Sequence, residues 1–137
     1  MIIDDERPND TERHAIQTVR AFLKAMESRD TAKAATFLHD DFSMTFPGAP
    51  SMTQLDDLIS WSKPRYRNIG KVFDGVEASC EGAVVWVHGT LSGAWPDGEP
   101  FEGIRFVDRF ELEDGRILRQ DVWNDMALHG AEDGVEA

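Results

Sequence analysis

The sequence predicts an α+β fold, with helices first and strands after them, packed as helices against one face of a sheet. Three observations carry this. Up to about Ser62 most apolar residues recur at helical spacing; from Ile69 onward they alternate at strand spacing; and the strand-like half is punctuated by Glu81-Gly82, Pro96-Asp97-Gly98 and Asp114-Gly115. Helical runs followed by strand runs segregate into two layers instead of forming alternating parallel units. At 137 residues, with no internal repeat or low-complexity linker, the chain reads as one domain over 1–137. A chain of this size buries roughly 68–70% of its unfolded surface, enough for a core without staples.

Each element has its own signal. Asp10 or Thr11 can cap a helix reaching about Glu27, since Ile16, Val19, Leu23 and Met26 share one stripe with Phe22 beside them. Asp30-Thr31 restarts a short helix, Ala32 to Leu38, and His39-Asp40-Asp41 ends it. Phe42, Met44 and Phe46 alternate with Ser43 and Thr45 as a short strand, which Pro47-Gly48-Ala49-Pro50 stops. Ser51 and Gln54 form a capping-box pattern before a third helix with Leu55, Leu58, Ile59 and Trp61 on its apolar face, ended by Pro64. Four long antiparallel strands follow: Ile69 to about Cys80, Ala83 to Trp95, the strand through Gly103–Glu113, and a last one after the Asp114-Gly115 turn.

Charge and composition exclude several function classes. The formal net charge is −12, which argues against nucleic acid or an anionic membrane as partner, because both require a basic footprint. Lys63, Arg65 and Arg67 make the one local basic cluster and read as a solvated helix end. The longest apolar run, Ala83 to Val87, is too short to span a bilayer, and the start of the chain lacks signal-peptide shape, so a cytoplasmic protein is expected. Residues 1–10 and 130–137 are expected to be flexible acidic tails. The single cysteine, Cys80, excludes an intrachain disulfide and reads as a small core or sheet residue.

The strand before Asp114-Gly115 carries the first functional signal. One face holds Ile104, Phe106, Asp108, Phe110 and Leu112; the other holds Arg105, Val107, Arg109, Glu111 and Glu113. Asp108 is thus a lone carboxylate on an apolar face, where it must find hydrogen-bond partners or take up a proton. The strand at Ala83–Leu91 is apolar on both faces. Helices cover one; the other calls for a partner, and a homodimer through the outer face of the sheet is expected.

Three stretches together resemble the nuclear-transport-factor-2-like superfamily, in its SnoaL-like polyketide cyclase and ketosteroid isomerase branches. They are VRAFLKAMESRDTAKAATFLHDDF, the FPG after the short strand, and FVDRFELEDGRI followed by VWND, which span most of Val19 to Asp125. The resemblance implies a cone-shaped, curved, mostly antiparallel sheet wrapped by three helices in the order α-α-β-α-β-β-β-β, with an apolar pocket and a dimer through the sheet. It places the isomerase's protonated oxyanion-side carboxyl (a case known in general form) on Asp108, its tyrosine on Phe22 and its general base on Phe46. The epoxide hydrolase branch places a carboxylate seven residues after the turn glycine, where this chain has Val122. Both residue sets are incomplete.

The remaining polar residues define a candidate site. His88 shares a strand face with Trp86 and Thr90, and this face is expected to line the same cavity as Asp108, making Asp108 and His88 a candidate acid/base pair, with a buried structural pair, the commoner case for such groups, as the alternative. The hairpin turn leaves two arrangements of the last strand. A two-residue type I′ loop sets Asp108 opposite Asp121; a three-residue loop with a glycine bulge sets it opposite Gln120, with Val122 and Asn124 inward. The family's parity favours the second. The expected ligand pocket is Phe22, Met26, Met44, Phe46, Trp61, Tyr66, Trp86, Phe106, Phe110, Gln120, Val122 and Asn124. No cofactor is implied. His39 with Asp40 and Asp41 has no further ligand group at recognisable spacing, so no metal site is expected, and His14 and His129 read as exposed. The function expected is binding of a small apolar, cyclic, carbonyl-bearing compound, with acid/base chemistry of the cyclase or isomerase type; the alternative is a non-catalytic binder or dimeric module of the same fold.

Overall fold

A computed structural model describes residues 9–129. The tail expectation for 1–8 and 130–137 lies outside the described residues, whereas Asn9 caps the first helix and Asp10 begins it. Helix α1 spans Asp10–Glu27, α2 Thr31–Ala35, strand β1 Leu38–Thr45, α3 Leu55–Ser62, β2 Asn68–Ser79, β3 Val84–Ala94, β4 Pro100–Glu113 and β5 Arg116–Asn124; short 3₁₀ turns occupy Cys80–Gly82 and Met126–Leu128. The strands form one sheet in the order β1-β5-β4-β3-β2, antiparallel except where β1 lies parallel to β5. No helix of the described residues is long and apolar enough to cross a membrane.

Several local expectations are corrected. The cap of α1 is Asn9, not Asp10 or Thr11: its side chain accepts from the Glu12 N–H at 2.8 Å while the Glu12 carboxylate accepts from the Asn9 N–H at 3.0 Å, a reciprocal box worth about 1 kcal/mol. Helix α2 stops at Ala35 because the chain from Leu38 already pairs with Ile117 of β5, so His39-Asp40-Asp41 is an irregular stretch of strand and not a helix end. Ser51 and Gln54 form no capping box. Met52 instead exchanges two backbone hydrogen bonds with Met44, at 2.8 and 2.9 Å, and Gln54 precedes α3 without a side-chain cap bond. Cys80 is exposed, at φ 53° in the turn between β2 and β3.

The core lies between the inner face of the sheet and the helices. Val19, Phe22, Leu23 and Met26 of α1 meet Val85, Val87 and Leu91 of β3, Ile104, Phe106 and Phe110 of β4, Ile117 of β5 and Phe42 and Met44 of β1. Phe22 anchors the contact edge-on against Phe42 and Phe110, with ring centroids 6.3 and 6.1 Å apart, the geometry the ring quadrupoles prefer.

The β4–β5 hairpin combines features of both anticipated arrangements. Glu113 pairs with Arg116 across a two-residue turn whose residues, Asp114 and Gly115, both have positive φ (55° and 76°), the type I′ pattern. The register then shifts: Leu112 pairs with Ile117 but Glu111 pairs with Arg119, leaving Leu118 as an extra residue. This bulge, not a three-residue loop, turns Gln120 and Val122 inward, and it sets Asp108 opposite Val122 instead of Asp121 or Gln120. Deleting Leu118 should therefore leave a regular hairpin in which Gln120 still opposes Phe110 and Val122 still opposes Asp108. The expected change is about 1 kcal/mol or less, ordinary for a change that buries no new charge, read as a nearly unchanged urea midpoint; a loss of about 3–5 kcal/mol, that of burying an unpaired charge, would contradict this register.

Candidate functional site

Asp108 sits in the middle of β4, flanked on the inner face by Phe106 and Phe110, and has no solvent exposure. Its carboxylate Oδ2 is ion-paired with the Nζ of Lys71 from β2. Lys71 follows the alternation of Ile69 and Phe73 and pairs with Leu91, which aims its stem along the inner face. Its ammonium also stands 4.8 Å from the centre of the Phe106 ring, a favourable position for a cation. Burial pushes the Asp108 carboxyl above its ordinary range; the Lys71 charge, the Lys71 hydrogen bond and the Gln120 carboxamide pull it back down by less. Among the described residues the other carboxylate oxygen, Oδ1, and the Oε1 of Gln120 are buried acceptors without a partner.

Between the sheet and helices α1 and α3 lies a cavity of about 1230 Å³, above the ~300–1,000 Å³ of ordinary small-molecule sites. Lys71 and Gln120 line it, and Asp108 does not. Asp108 lies behind Lys71 and acts on the cavity through it. Of the expected pocket residues, Phe22, Met26, Phe46, Trp61, Tyr66, Phe106, Gln120, Val122 and Asn124 line the cavity. Met44 and Phe110 are fully buried in the core and do not reach it.

His88 and Trp86 are on the wrong face for the expected site. Directly opposed residues of an antiparallel pair share a face, and Asp108 opposes Val87, so Val85, Val87 and Leu91 accompany it inward. His88 opposes Val107 on the outer face, is exposed, and lays its ring over Gly75, where a Cβ would meet the imidazole. Trp86 is 37% exposed on that same face. The partner of Asp108 is thus Lys71 and not His88.

Two smaller readings sharpen. His39 lies 3.7 Å from the Glu113 carboxylate while its Nδ1 accepts from the Asp41 N–H at 3.0 Å. At 3.7 Å the His39–Glu113 contact is a close polar approach between β1 and the hairpin, longer than a hydrogen bond. Arg65, read as part of a solvated helix end, does donate to the Trp61 carbonyl near the end of α3 at 2.9 Å, yet it also lines the cavity.

The fold, helices packed on one face of a mostly antiparallel sheet, is one that known proteins share. A profile of the SnoaL-like domain matches residues 19–120, and the chain belongs to that family. Solved structures of the same fold include a putative SnoaL-like polyketide cyclase from Jannaschia sp. CCS1 (17% identity, 90% of this chain and 94% of that one, TM-score 0.74). TerC, co-crystallised with polyporic acid, gives 16% identity over 90% and 99% of the two chains at TM-score 0.77. An epoxide hydrolase of the LEH-like kind from M. tuberculosis gives 22% over 92% and 95% at TM-score 0.69. At such identities the likeness carries the fold and leaves activity open. Among curated proteins none matches.

The pair makes a signed pH prediction. Because the folded state holds the Asp108 proton more tightly than the unfolded chain does, stability falls as pH rises from about 4 through the raised folded value. Lys71 moderates that loss, so Lys71→Met should steepen it. The variant should lie within about 1 kcal/mol of wild type near pH 4 and about 3 kcal/mol below it near pH 8, where an unpaired buried carboxylate remains. Urea denaturation at the two pH values reads the difference; a gap of equal size at both would show that Lys71 does not serve the carboxylate.

Proposed function

We propose that this chain binds a small apolar, cyclic, carbonyl-bearing compound in the cavity, with Lys71 meeting the carbonyl oxygen and Asp108 holding Lys71 in place. The observation that carries the reading is the Lys71–Asp108 pair at the wall of a cavity otherwise built from Phe22, Phe46, Trp61 and Phe106. An ammonium donor in apolar surroundings is worth far more to a carbonyl oxygen than the same donor in water. It also draws charge toward the oxygen, which is the electrophilic half of enolisation or aldol cyclisation. The raised carboxyl of Asp108 suits proton exchange within the pair. A non-catalytic binder is favoured as the second reading by one observation: the positions at which the isomerase branch carries its tyrosine and its base are Phe22 and Phe46, both in the cavity wall. TerC, of the same fold, was crystallised with an organic acid, which supports a small organic occupant for either reading.

A panel of cyclic ketones and their deoxygenated hydrocarbon analogues tests this by thermal shift and by quenching of tryptophan fluorescence. The ketones should bind the wild type more tightly than the hydrocarbons, and Lys71→Met should remove that advantage, roughly 10- to 100-fold for a hydrogen bond to a charged donor, while hydrocarbon binding is retained. Equal affinity for ketone and hydrocarbon in the wild type would defeat the role of Lys71. Turnover of a bound ketone decides between the catalytic and the binding reading.

We also propose a homodimer through the outer sheet face. Val72, Trp86, Val107 and Trp123 are exposed there at 55, 37, 36 and 52%, and Val107 and Trp123 are directly paired across β4 and β5. A patch that repeats on both copies suits a twofold axis. Sedimentation at micromolar concentration should give a dimer for the wild type and a monomer for Trp123→Glu; a monomeric wild type would rule the interface out.

A further inference from the structure

The mouth of the cavity carries four basic side chains beside three carboxylates, although the chain as a whole is strongly acidic. Arg20, Lys24, Arg29 and Arg65 line the cavity; the first three are solvent-exposed and the fourth partly so. A residue that is exposed and also lines a cavity stands at its opening. Among the described residues none of the four is ion-paired with a carboxylate. Three are held in place by other means. The Arg20 guanidinium lies 5.2 Å from the centre of the Phe73 ring. The Arg65 guanidinium lies 4.1 Å from the centre of the Trp61 ring and donates one N–H to the Trp61 carbonyl. The Arg29 guanidinium lies 6.0 Å from the centre of the Tyr66 ring and donates one N–H to the Met26 carbonyl at 3.3 Å. Stacking on a ring and one backbone bond leave the remaining N–H edges of each fork available.

The backbone at Arg29 adds an independent observation. The end of α1 closes with the Asp30 N–H on the Ala25 carbonyl and the Arg29 N–H on the Met26 carbonyl, the bonding pattern of a Schellman turn. Glycine is the usual residue at the left-handed position of that turn, and Arg29 occupies it at φ 61°. A long cationic side chain therefore stands where the local backbone favours none, and it points to the cavity mouth.

From these features, and resting on the ligand site proposed above, we infer that Arg29 and Arg65 form an anion subsite at the cavity mouth. The ligand class is then an amphipathic organic anion: an apolar cyclic body inside the cavity, with a carboxylate or equivalent anionic substituent at the outer end. Guanidinium forks suit such oxyanions because two parallel N–H donors match two oxygens. The acidic residues that share the opening, Glu27, Asp97 and Glu99, repel an anion, so the anionic group is confined to the two guanidinium forks.

A matched pair of fluorescent probes tests the inference on the full chain: 1-anilinonaphthalene-8-sulfonate and N-phenyl-1-naphthylamine, which share one body and differ in the sulfonate. At low salt the anionic probe should bind at least about tenfold more tightly than the neutral one, as charge-assisted hydrogen bonds would give. The double variant Arg29→Gln/Arg65→Gln should abolish the difference without weakening the neutral probe, and Arg29→Lys/Arg65→Lys should keep most of it. Salt at about 0.5 M, where screening reaches only a few ångströms, should narrow it. An anionic probe bound no more tightly than the neutral one overturns the subsite, as does a double variant that weakens both probes alike. If neither probe binds, the ligand site itself is refuted and the subsite with it.

Discussion

The burial of the Asp108 carboxylate is the constraint on which the rest of the site depends. A carboxylate with no solvent exposure, set between Phe106 and Phe110, needs either a proton or a cation, and Lys71 is the cation the fold delivers. That requirement ties three strands together: β4 supplies the acid, β2 the amine, and β5 the Gln120 carboxamide beside them. The pair is not symmetric toward the cavity. Lys71 and Gln120 face it and Asp108 stands behind, so a ligand meets donors whose charge is balanced from the rear. Replacing such a pair by apolar residues is often neutral or stabilising. Packing alone does not call for it, which accords with the ligand role proposed above.

How much of this was legible in the sequence follows from which signals are local. Two-periodic alternation in β4 exposed Asp108 at once, because Phe106 and Phe110 flank it on one face and Arg105 and Arg109 mark the other. The element order was equally legible from the change of period after α3. The strand β3 misled: apolar on both faces, it carries no parity signal of its own, and His88 with Trp86 fell on the wrong side. Only its pairing with β4, Val87 against Asp108, decides the matter. Lys71 escaped because lysine in a strand defaults to solvent. Its signal was present in the alternation Ile69, Lys71, Phe73, which places it on the apolar parity. The inward turn of Gln120 was anticipated for a different reason from the one the structure gives, since a one-residue bulge at Leu118 leaves no mark in a run of strand-compatible residues.

The aromatic wall and the ionic pair divide the work of recognition. Phe22 and Phe46 bring bulk and dryness to positions where the isomerase branch carries hydroxyl and carboxylate. Dry walls strengthen the remaining polar contacts, because the same donor is screened less when water is excluded. Apolar surface at these positions supports the binding reading proposed above, with Lys71 as the cation of the inner wall. Gln120 Oε1, a buried acceptor without a partner among the described residues, belongs to the cavity lining and would complement a ligand hydroxyl or enol beside the carbonyl.

The distribution of charge completes the picture of how a ligand would be oriented. A net charge of −12 repels anions at long range, yet the screening length at physiological salt is only about 8 Å, so the field at the cavity is set by its own lining. There four cations, three of them over aromatic rings, share the opening with three carboxylates, while one cation inside is paired with Asp108. An anion drawn to the opening has no free positive charge to follow inward. Its apolar body does, into walls of phenylalanine and tryptophan. The arrangement therefore favours one orientation, charged end out and neutral oxygen in, and makes the Lys71–Asp108 pair selective for a carbonyl over a carboxylate because the pair carries no net charge to offer.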